Sequence, residues 1–517
     1  MKSKLKQIIT SLILFASLLP MQAYALDMKD FDQTLNDFIQ PFTSFYSNVI
    51  FTAIPVNGQE LPLIVIWLAI GSIFCTIYFK FINVRGFTTA LKVVRGDYTK
   101  KEDAGEVTHF QALSAALSGT VGLGNIGGVA IAISLGGPGA TVWMILVGLL
   151  GMAAKFAECT LGVRYRVVHE DGSVSGGPMY YLKTGFAERG MPRIGMALAV
   201  IFSICCVFAS FGGGNIFQIS QTIEQFQIVA GDRTNFFTDY RWVFGLGVAI
   251  LVGLVIIGGI KSIARVTSKL VPVMCILYLI AAISILFGYY ERIPDAFMLI
   301  IKGAIAPEAA YGGIIGVMIQ GMRRASFSNE AGIGSAPIAH AAVKTDEPAT
   351  EGLVALLEPF IDTVIVCTMT ALVIVITGVY QVDTGLSGVK LTSEAFASVY
   401  SWFPYVLALA VFLFAFSTMI TWSYYGLKSW TFLFGNNKKM ETIYKLLFCS
   451  ATVIGATMSL TEVVNFADAA NFSMAIPNLI GVFVLAPVVR HCLISFMDKI
   501  KNGEIKSNRE IAKIETT

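Results

Sequence analysis

The sequence predicts an all-α membrane protein whose chain crosses the bilayer many times. Of its 517 residues, 55% are hydrophobic and 14% are charged, whereas soluble domains contain about 25% charged residues. The mean hydropathy is +0.70. Apolar runs recur along the whole chain, and about 20 such residues allow a helix to cross the hydrocarbon. These runs predict that a lipid bilayer surrounds the protein. No basic patch interleaved with aromatic residues occurs, so we expect no nucleic-acid partner.

The N-terminal residues are typical of a secretory signal. Residues 1–25 combine three lysines, an apolar stretch and the small-x-small sequence Ala23-Tyr24-Ala25. An uncleaved anchor helix is the alternative interpretation. The acidic segment 26–60 follows, and we expect it to lie in the periplasm.

Eleven apolar spans are predicted to be membrane-crossing helices. We assign 61–81 as an extra helix, 109–290 and 310–492 as two groups of five helices, and 493–517 as a cytoplasmic tail. The spans are placed near 61–81, 109–136, 139–163, 196–224, 242–260, 268–290, 310–324, 352–379, 404–430, 443–460 and 472–492.

The charges of the connecting loops predict the orientation. Loops rich in lysine and arginine, such as 82–108 and 164–195, alternate with loops that are acidic or poor in basic residues. By the positive-inside rule, the mature N-terminus is expected to lie outside and the C-terminus in the cytoplasm. A cleaved signal would give the same topology.

A glycine run interrupts the second span. Five glycines fall within residues 119–128, and each destabilises a helix by about 1 kcal/mol relative to alanine. A broken helix in lipid needs partners for its freed backbone groups, as at the sites of secondary transporters. The amides of Leu123 and Gly124 are then available to a carboxylate, and Asn125 to a cation. Close packing of small residues is the alternative; a phosphate loop lacks its strand and its Lys-Ser/Thr pair.

A second polar, glycine-bearing segment occupies residues 321–337, on the sixth of the ten helices that follow the extra one. Interrupted helices at corresponding positions of two halves are the best sequence indication of a transporter site. The sequence therefore predicts two five-helix repeats of opposite topology.

Polar side chains on other spans are candidates for the same site. Ser417 and Thr418 offer adjacent hydroxyls to a sodium ion, or bond back to their own helix. Trp422 is expected to line a small pocket or to anchor the helix at the interface. Asn215 and Gln218 share a helix face after three glycines, where an interhelical hydrogen bond is the alternative.

Ionisable residues near the spans are functional candidates by default. They are Lys155, Glu158, Glu358 and Asp362. Lys155 and Glu158 are three residues apart, so we expect them to neutralise one another. The four histidines lie near predicted helix ends or in loops, and the sequence therefore does not favour them as proton relays.

Four segments resemble the alanine or glycine:cation symporter family over residues 60–490. They are Thr120–Ile126, Gly176–Tyr181, Ser326–Pro337 and Phe416–Gly426. The resemblance implies a LeuT-like fold with five-plus-five inverted repeats and one N-terminal helix. It also implies uptake of small neutral amino acids, alanine or glycine, with Na+ as coupling ion and no cofactor. The family often has threonine where this chain has Leu123.

The resemblance also implies the residues of the site. Sodium would be held by the Ser118 and Val121 carbonyls with the Ser417 and Thr418 hydroxyls, and Asn125 would belong to a second cation site. The implied substrate-binding residues are Leu123, Gly124, Phe211, Asn215, Gln218, Gly321, Ser326, Asn329 and Trp422.

Other functions fit the sequence less well. A membrane enzyme would need a nucleophile–base pair or a metal motif, and no His-Glu-x-x-His or Gly-x-Ser-x-Gly occurs. A channel would need a ring of like groups. A proton-coupled amino-acid carrier of the same fold stays open as the alternative, as does the oligomeric state.

Overall fold

The computed structural model describes residues 28–99, 103–231, 236–306, 312–381, 388–505 and 507–508. The predicted signal segment 1–25 lies outside these residues. The described part is helical almost throughout, as predicted.

The first half of the chain contains an amphipathic start, an extra helix and a bent pair. Its helices are α1 (Met28–Ile50), α2 (Leu63–Tyr78), α3 (Ile82–Arg85), α4 (Phe87–Val94), α5 (His109–Thr120), α6 (Gly124–Gly136), α7 (Ala140–Arg164), α8 (Pro178–Glu188), α9 (Pro192–Ala230), α10 (Phe236–Asp239), α11 (Arg241–Ile256), α12 (Gly259–Gly288) and α13 (Ile293–Ile305).

The second half repeats the pattern of long helices around an interruption. Its helices are α14 (Gly313–Asn329), α15 (Ala336–His340), α16 (Pro348–Thr377), α17 (Val389–Ala397), α18 (Phe403–Phe434), α19 (Lys438–Gly455), α20 (Leu460–Ser473) and α21 (Ala475–Lys501).

Each of the eleven predicted spans overlaps a helix of the structure. Six helices are long and apolar enough to cross a membrane, with α20 and α21 taken as one, and the bent pair α5–α6 makes a seventh. Helices α2 and α11 are apolar but shorter. The count of eleven spans stays a prediction. Helix α21 continues to Lys501, so the predicted tail at 493 begins inside a helix.

The segment predicted as a periplasmic arm is ordered secondary structure. Helix α1 packs on α20, where the Tyr46 hydroxyl donates to Ser473 Oγ over 2.8 Å. A hairpin of β1 (Ala53–Val56) and β2 (Gln59–Pro62) follows. Its turn, Asn57-Gly58, has φ of 49° and 78°, the left-handed values that a two-residue hairpin turn requires. A second small hairpin pairs β3 (Val167–Val168) with β4 (Val174–Ser175).

Local sequence signals explain where the helices begin. Thr108 caps α5 and Gln111 returns the bond, which forms a capping box. Helices α8, α9, α15 and α16 carry proline in their first turn, where the missing N–H has no intrahelical acceptor in any case.

The lipid-facing surface is visible on α12. Five side chains spaced three or four residues apart are 41–74% exposed: Val273, Ile276, Ile280, Ile283 and Phe287. Such an apolar stripe is typical of a helix that faces hydrocarbon. The centre of the molecule lies elsewhere, where α7 packs against α2, α14 and α16, and where α18 packs against α5, α9 and α12.

Candidate functional site

A small cavity lies where the two interrupted helices meet α9, α18 and α20. The space between its lining atoms, with its open side included, is about 230 Å³. Its lining combines glycines, amides, hydroxyls, a carboxylate and two aromatic rings. The lining residues are Gly119, Thr120, Gly122, Gly124, Gly213, Gln218, Phe327, Glu330, Thr418, Trp422 and Asn471.

The first interruption is the gap between α5 and α6, whose axes meet at 51°. Two side chains satisfy the amides that the gap frees. Asn125 Oδ1 accepts from the Gly122 N–H over 2.8 Å, and Gln218 Oε1 accepts from the Leu123 N–H over 3.2 Å. The Gly124 N–H has no acceptor among the described residues. Of the two predicted amides, the one at Gly124 is therefore free for a ligand.

Thr418 has a hydroxyl with no partner at this gap. The residue is 1% exposed, and its Oγ1 makes no hydrogen bond among the described residues. A Cβ added to Gly122 would lie 2.5 Å from this oxygen, so the hydroxyl borders the broken backbone. A buried hydroxyl without a partner costs about 1–3 kcal/mol, and a ligand in the cavity would remove that cost.

The other predicted sodium ligands gather beside it. The Ser118 hydroxyl donates to the Ser417 carbonyl over 2.6 Å, and the Ser417 hydroxyl donates to the Phe414 carbonyl over 2.9 Å. Val121 is the residue at which α5 ends, and it is fully buried. The structure thus pairs Ser118 with Ser417 and places Thr418 against Gly122, the residue that follows Val121. Carbonyl and hydroxyl oxygens are the donors that a hard cation prefers.

The remaining cavity wall is polar. Gln218 joins α9 to the first interruption, because its Nε2 donates to the Gly213 carbonyl on α9 while its Oε1 accepts from the Leu123 N–H. The Trp422 indole N–H points toward Glu330 Oε1 at 3.1 Å. Asn471 Oδ1 is buried without a donor among the described residues. The cavity therefore offers both N–H donors and free acceptors.

The structure does not bring six of the predicted substrate residues to the cavity lining. One of them is Leu123, whose amide is already held by Gln218. Phe211 stacks with Tyr444 and Phe448, at ring-centre distances of 5.7 and 6.0 Å. Asn215 donates to the Phe448 carbonyl and accepts from Thr452. This is the interhelical hydrogen bond that the sequence allowed as the alternative.

Three residues of α14 also lie away from the cavity. Gly321 faces α7, where an added Cβ would be 2.5 Å from the Ala140 carbonyl oxygen. The Ser326 carbonyl accepts from the Glu330 N–H over 3.1 Å. Asn329 Nδ2 donates to Thr363 Oγ1 over 3.0 Å. Their roles in substrate binding stay predictions that these contacts do not support.

Asn125 belongs to a separate buried cluster around Asp362. Its Nδ2 donates to Asp362 Oδ1 over 2.5 Å, and the Ser328 hydroxyl donates to the same oxygen over 3.2 Å. Thr363 Oγ1 donates to Asp362 Oδ2. Asp362 joins both interrupted helices through this cluster, and it is the carboxylate closest to the predicted second cation site.

The second interruption runs from Glu330 to Ser335, later than the polar segment suggested, because α14 stays helical to Asn329. Glu330 has a φ of 56°, in the left-handed region. Protein groups satisfy this break. Asn329 Oδ1 accepts from the Ala331 N–H, Asn478 Nδ2 donates to the Gly332 carbonyl, and Ser335 donates to Glu330.

The close ion pair of Lys155 is with Glu358 on α16, not with Glu158 on its own helix. Lys155 Nζ lies 3.2 Å from Glu358 Oε2, and no oxygen of Glu158 lies within 4.0 Å of it among the described residues. Glu158 instead accepts from Asn478 over 2.6 Å. All of these side chains are buried. The physical reason is that α7 lies in the centre of the protein, where partners on other helices compete with the neighbour on its own helix.

Two histidines lie at helix ends, as predicted, and both are buried: His109 is the first residue of α5 and His340 is the last residue of α15. His340 Nδ1 lies 2.6 Å from Glu351, and its Nε2 lies 2.5 Å from Glu358. His109 contacts Glu351 as well. A neutral imidazole carries one N–H, so one nitrogen of His340 would face a carboxylate with no proton between them. The three groups therefore share one proton beyond those of a neutral histidine and two carboxylates.

The same cluster does not suit a metal ion. Cys159, His340 and Glu358 place ligand atoms within 4.8 Å of one another. Both ring nitrogens of His340 already face carboxylates, however, and the Lys155 ammonium already pairs with the Glu358 carboxylate. These groups are therefore not free to bind a metal ion. The cation present in this cluster is the lysine itself.

An ion pair closes one side of the cavity. Arg323 Nη2 lies 2.8 Å from Asp468, and Arg324 contacts the same carboxylate. The Arg324 guanidinium also lies 5.3 Å from the ring centre of Phe327, a lining residue. These arginines therefore join α14 to α20 next to the cavity.

Seven lining residues were not named as site residues from the sequence, although all of them except Asn471 lie in segments that the sequence singled out. They are Gly119, Thr120, Gly122, Gly213, Phe327, Glu330 and Asn471. Glu330 lies inside the polar segment that was singled out, and its position between two glycine-rich stretches was an available signal. The sequence contained no signal for Asn471, because this residue lies on α20, which precedes the apolar run predicted as the last span, 472–492.

Comparison with known proteins finds relatives that match most of the chain. The model of a family described as the sodium:alanine symporter family matches residues 46–510. The sodium/alanine symporter AgcS of Methanococcus maripaludis is 39% identical over 449 residues, which cover 86% of this chain and 96% of that protein. The probable sodium/glutamine symporter GlnT of Bacillus subtilis is 35% identical over 444 residues, covering 86% and 89%.

A solved structure shares the fold. The structure of MhsT in complex with L-phenylalanine has a TM-score of 0.53 and 17% identity, and the match covers 74% of this chain and 89% of that one. The likeness shows the fold alone, a helical membrane protein with a LeuT-like neighbour, as predicted. The five-plus-five repeat stays a prediction.

Proposed function

Since the chain belongs to the sodium:alanine symporter family, whose members are transporters rather than enzymes, we propose that it carries small neutral amino acids into the cell together with sodium. Alanine and glycine are the proposed substrates and Na+ is the coupling ion. The protein is a multi-pass membrane protein. We place its N-terminus outside and its C-terminus in the cytoplasm, from the alternation of loop charge.

The unpartnered Thr418 hydroxyl at the Gly122 backbone carries the proposal. On the same two helices, the Ser417 hydroxyl lies 3.5 Å from the Ser118 carbonyl oxygen. These groups are neutral oxygens, which suit a monovalent hard cation without an added carboxylate. We therefore place the coupling ion between the end of α5 and α18.

The adjoining cavity suits an amino acid. The free Gly124 N–H lies at the start of α6, where backbone amides favour a carboxylate. The free Asn471 oxygen on the opposite helix is an acceptor for an ammonium group. Trp422 and Phe327 occupy the space in which a side chain would lie, which favours a small substrate. GlnT, named for glutamine, makes glutamine the first larger substrate to test.

Uptake into liposomes tests the coupling and the substrate together. Purified protein is reconstituted, and uptake of labelled alanine, glycine and glutamine is followed with an inward sodium gradient, with an equal potassium gradient, and with a proton gradient alone. We expect uptake of alanine and glycine with sodium only. Equal uptake with sodium and potassium would refute the coupling, and preferred uptake of glutamine would change the substrate.

A matched pair of threonine variants tests the ion site. Thr418→Val keeps the shape of the side chain and removes the oxygen, so we expect the sodium concentration for half-maximal uptake to rise by about tenfold, the factor that about 1.4 kcal/mol corresponds to. Thr421 is the control, because its hydroxyl is also buried without a partner among the described residues but does not line the cavity. An equal shift in Thr421→Val would contradict the assignment.

Proton coupling is the second candidate, and the shared proton at His340 favours it. His340→Gln removes the titratable ring while it keeps a polar side chain of similar length. If protons drive uptake, this variant loses the dependence on the proton gradient. If sodium drives uptake, the sodium dependence of the variant stays that of the wild type.

A further inference from the structure

A second concave surface lies far from the cavity, at the end of α2. We name it the rim groove. The space between its lining atoms, with its open side included, is about 860 Å³. One of its walls is the turn from α2 into α3, and the other is the last part of α21. Its lining residues are Tyr78, Phe79, Lys80, Ile82, Arg85, Gly86, Leu353, Arg490, Leu493, Ile494, Met497 and Asp498.

The turn that forms one wall is built by two left-handed residues. Lys80 and Phe81 have φ of 53° and 56°, which costs a non-glycine residue about 1–2 kcal/mol. Hydrogen bonds from the two amides to Ile77 and Thr76 hold the turn. Phe81 and Val84 then project outward and are 57% and 72% exposed. The turn therefore directs the apolar side chains of Phe81 and Val84 toward lipid, while Lys80 lines the groove.

Three cations border the groove. Arg85 Nη1 lies 3.4 Å from the Lys80 carbonyl, and the Arg490 guanidinium lies 5.9 Å from the ring centre of Tyr78. Within the described residues, none of the three has a carboxylate oxygen within 4.0 Å. Asp498 is the one acidic residue of the lining. The rim of the groove is therefore cationic.

The side of the groove toward the membrane is apolar. Ile73 and Ile77 on α2 are 44% and 63% exposed, and Ile494 and Met497 on α21 are 48% and 41% exposed. Side chains of this kind at the surface of a membrane helix contact acyl chains. Cations at one end and apolar side chains at the other match the two parts of a phospholipid, and basic pockets between membrane helices bind anionic head groups.

We propose that the rim groove binds one anionic phospholipid, such as phosphatidylglycerol or cardiolipin. Its phosphate lies between Lys80, Arg85 and Arg490. Its acyl chain follows Tyr78, Leu493 and Ile494 toward the bilayer. The lipid joins α2, the extra N-terminal helix, to α21, the last helix of the second half, and is independent of the substrate site.

Binding to the purified protein in detergent tests the proposal. Thermal unfolding and native mass spectrometry are recorded with phosphatidylglycerol, with phosphatidylcholine of the same chains, and with inorganic phosphate. We expect phosphatidylglycerol to remain bound and to raise the unfolding temperature. Equal effects of phosphatidylcholine, or an equal effect of inorganic phosphate, would overturn the proposal, because the site would then not recognise an anionic lipid.

Charge-matched variants localise the site. A triple variant, Lys80→Gln with Arg85→Gln and Arg490→Gln, should bind phosphatidylglycerol at least about tenfold more weakly, since each cation near a lipid surface contributes about 1 kcal/mol. The control removes three exposed cations of the α8–α9 region, Lys183, Arg189 and Arg193, and should bind as the wild type does. Equal loss in the control would show bulk attraction instead of a site.

Another variant should strengthen lipid binding instead of weakening it, and it tests the proposal even if the triple variant fails to fold. Asp498→Asn removes the one carboxylate of the rim groove, so phosphatidylglycerol should bind about twofold or more tightly, with alanine uptake unchanged. Unchanged or weaker lipid binding in this variant would contradict the proposed position of the phosphate.

Discussion

The two interrupted helices solve the same physical problem in different ways. At the first, between Thr120 and Gly124, two amides are held by Asn125 and Gln218, while the Gly124 N–H and the Thr418 hydroxyl are without partners among the described residues. At the second, between Asn329 and Ala336, side chains hold the freed groups. The first break leaves capacity for a ligand, and the second is closed by the protein.

The charges around the two breaks differ as well. Neutral amides and hydroxyls line the first, except where Asn125 meets Asp362. Glu330 is part of the second, and Lys155, Glu358 and His340 lie beside it in contact with one another. The difference predicts that substitutions at the first break change ligand affinity, whereas those near the second change stability.

The largest effect is expected at the buried ion pair. Lys155→Met leaves Glu358 buried without its cation, which should lower the free energy of unfolding by about 3–5 kcal/mol. Thermal unfolding of the purified protein measures this. The double variant Lys155→Met with Glu358→Gln should recover part of the loss. A single variant as stable as the wild type would contradict the charged character assigned to the second region.

At the first break, Gly122→Ala should reduce sodium-driven alanine uptake about 100-fold, the factor that about 2.7 kcal/mol corresponds to. The added Cβ would lie 2.5 Å from Thr418 Oγ1 and would take the place of the ion. Gly128→Ala is the control on the same helix, because an added Cβ there meets no atom within 4 Å. Similar alanine uptake in the two variants would contradict the prediction that Gly122 borders the ion site and Gly128 does not.

A smaller effect is expected when a side chain that closes the second break is removed. Asn329→Ala loses its bonds to Thr363 and to the Ala331 N–H, so stability should fall by about 1–3 kcal/mol. The sodium concentration for half-maximal uptake should not change. A shift in sodium dependence, measured in liposomes, would place Asn329 in the ligand site, as the family resemblance implies.

The smallest effect is expected at Phe211. Its ring packs against Tyr444 and Phe448 away from the cavity, so Phe211→Leu should keep the KM for alanine within about twofold and cost about 1 kcal/mol of stability. Gln218→Leu is the comparison, since Gln218 lines the cavity, and its KM should rise more. A larger rise of the KM for alanine in Phe211→Leu than in Gln218→Leu would show that Phe211 contributes to substrate binding.

Much of the site was predictable from sequence where a single segment carries the signal. The break near Leu123 follows from its glycines, and Thr418 follows from a hydroxyl pair on an apolar helix. Gln218 and Trp422 reach the cavity as expected. Asn215 does not line the cavity, although it is three residues from Gln218. It lies in a π-helical turn, Gly212–Ile216, and its side chain bonds to the Phe448 carbonyl and to Thr452.

The sequence by itself determined the composition, the apolar spans and the position of the first break, because hydrophobic length and glycine content act locally along one helix. Only the tertiary structure decided which buried groups have partners. Lys155 forms its close ion pair with Glu358, and His340 lies between Glu351 and Glu358. Charges attract strongly in a low-dielectric interior, so the partner of a buried charge is the opposite charge that helix packing places next to it. Such partners come from helices up to hundreds of residues apart, and no local pattern encodes them.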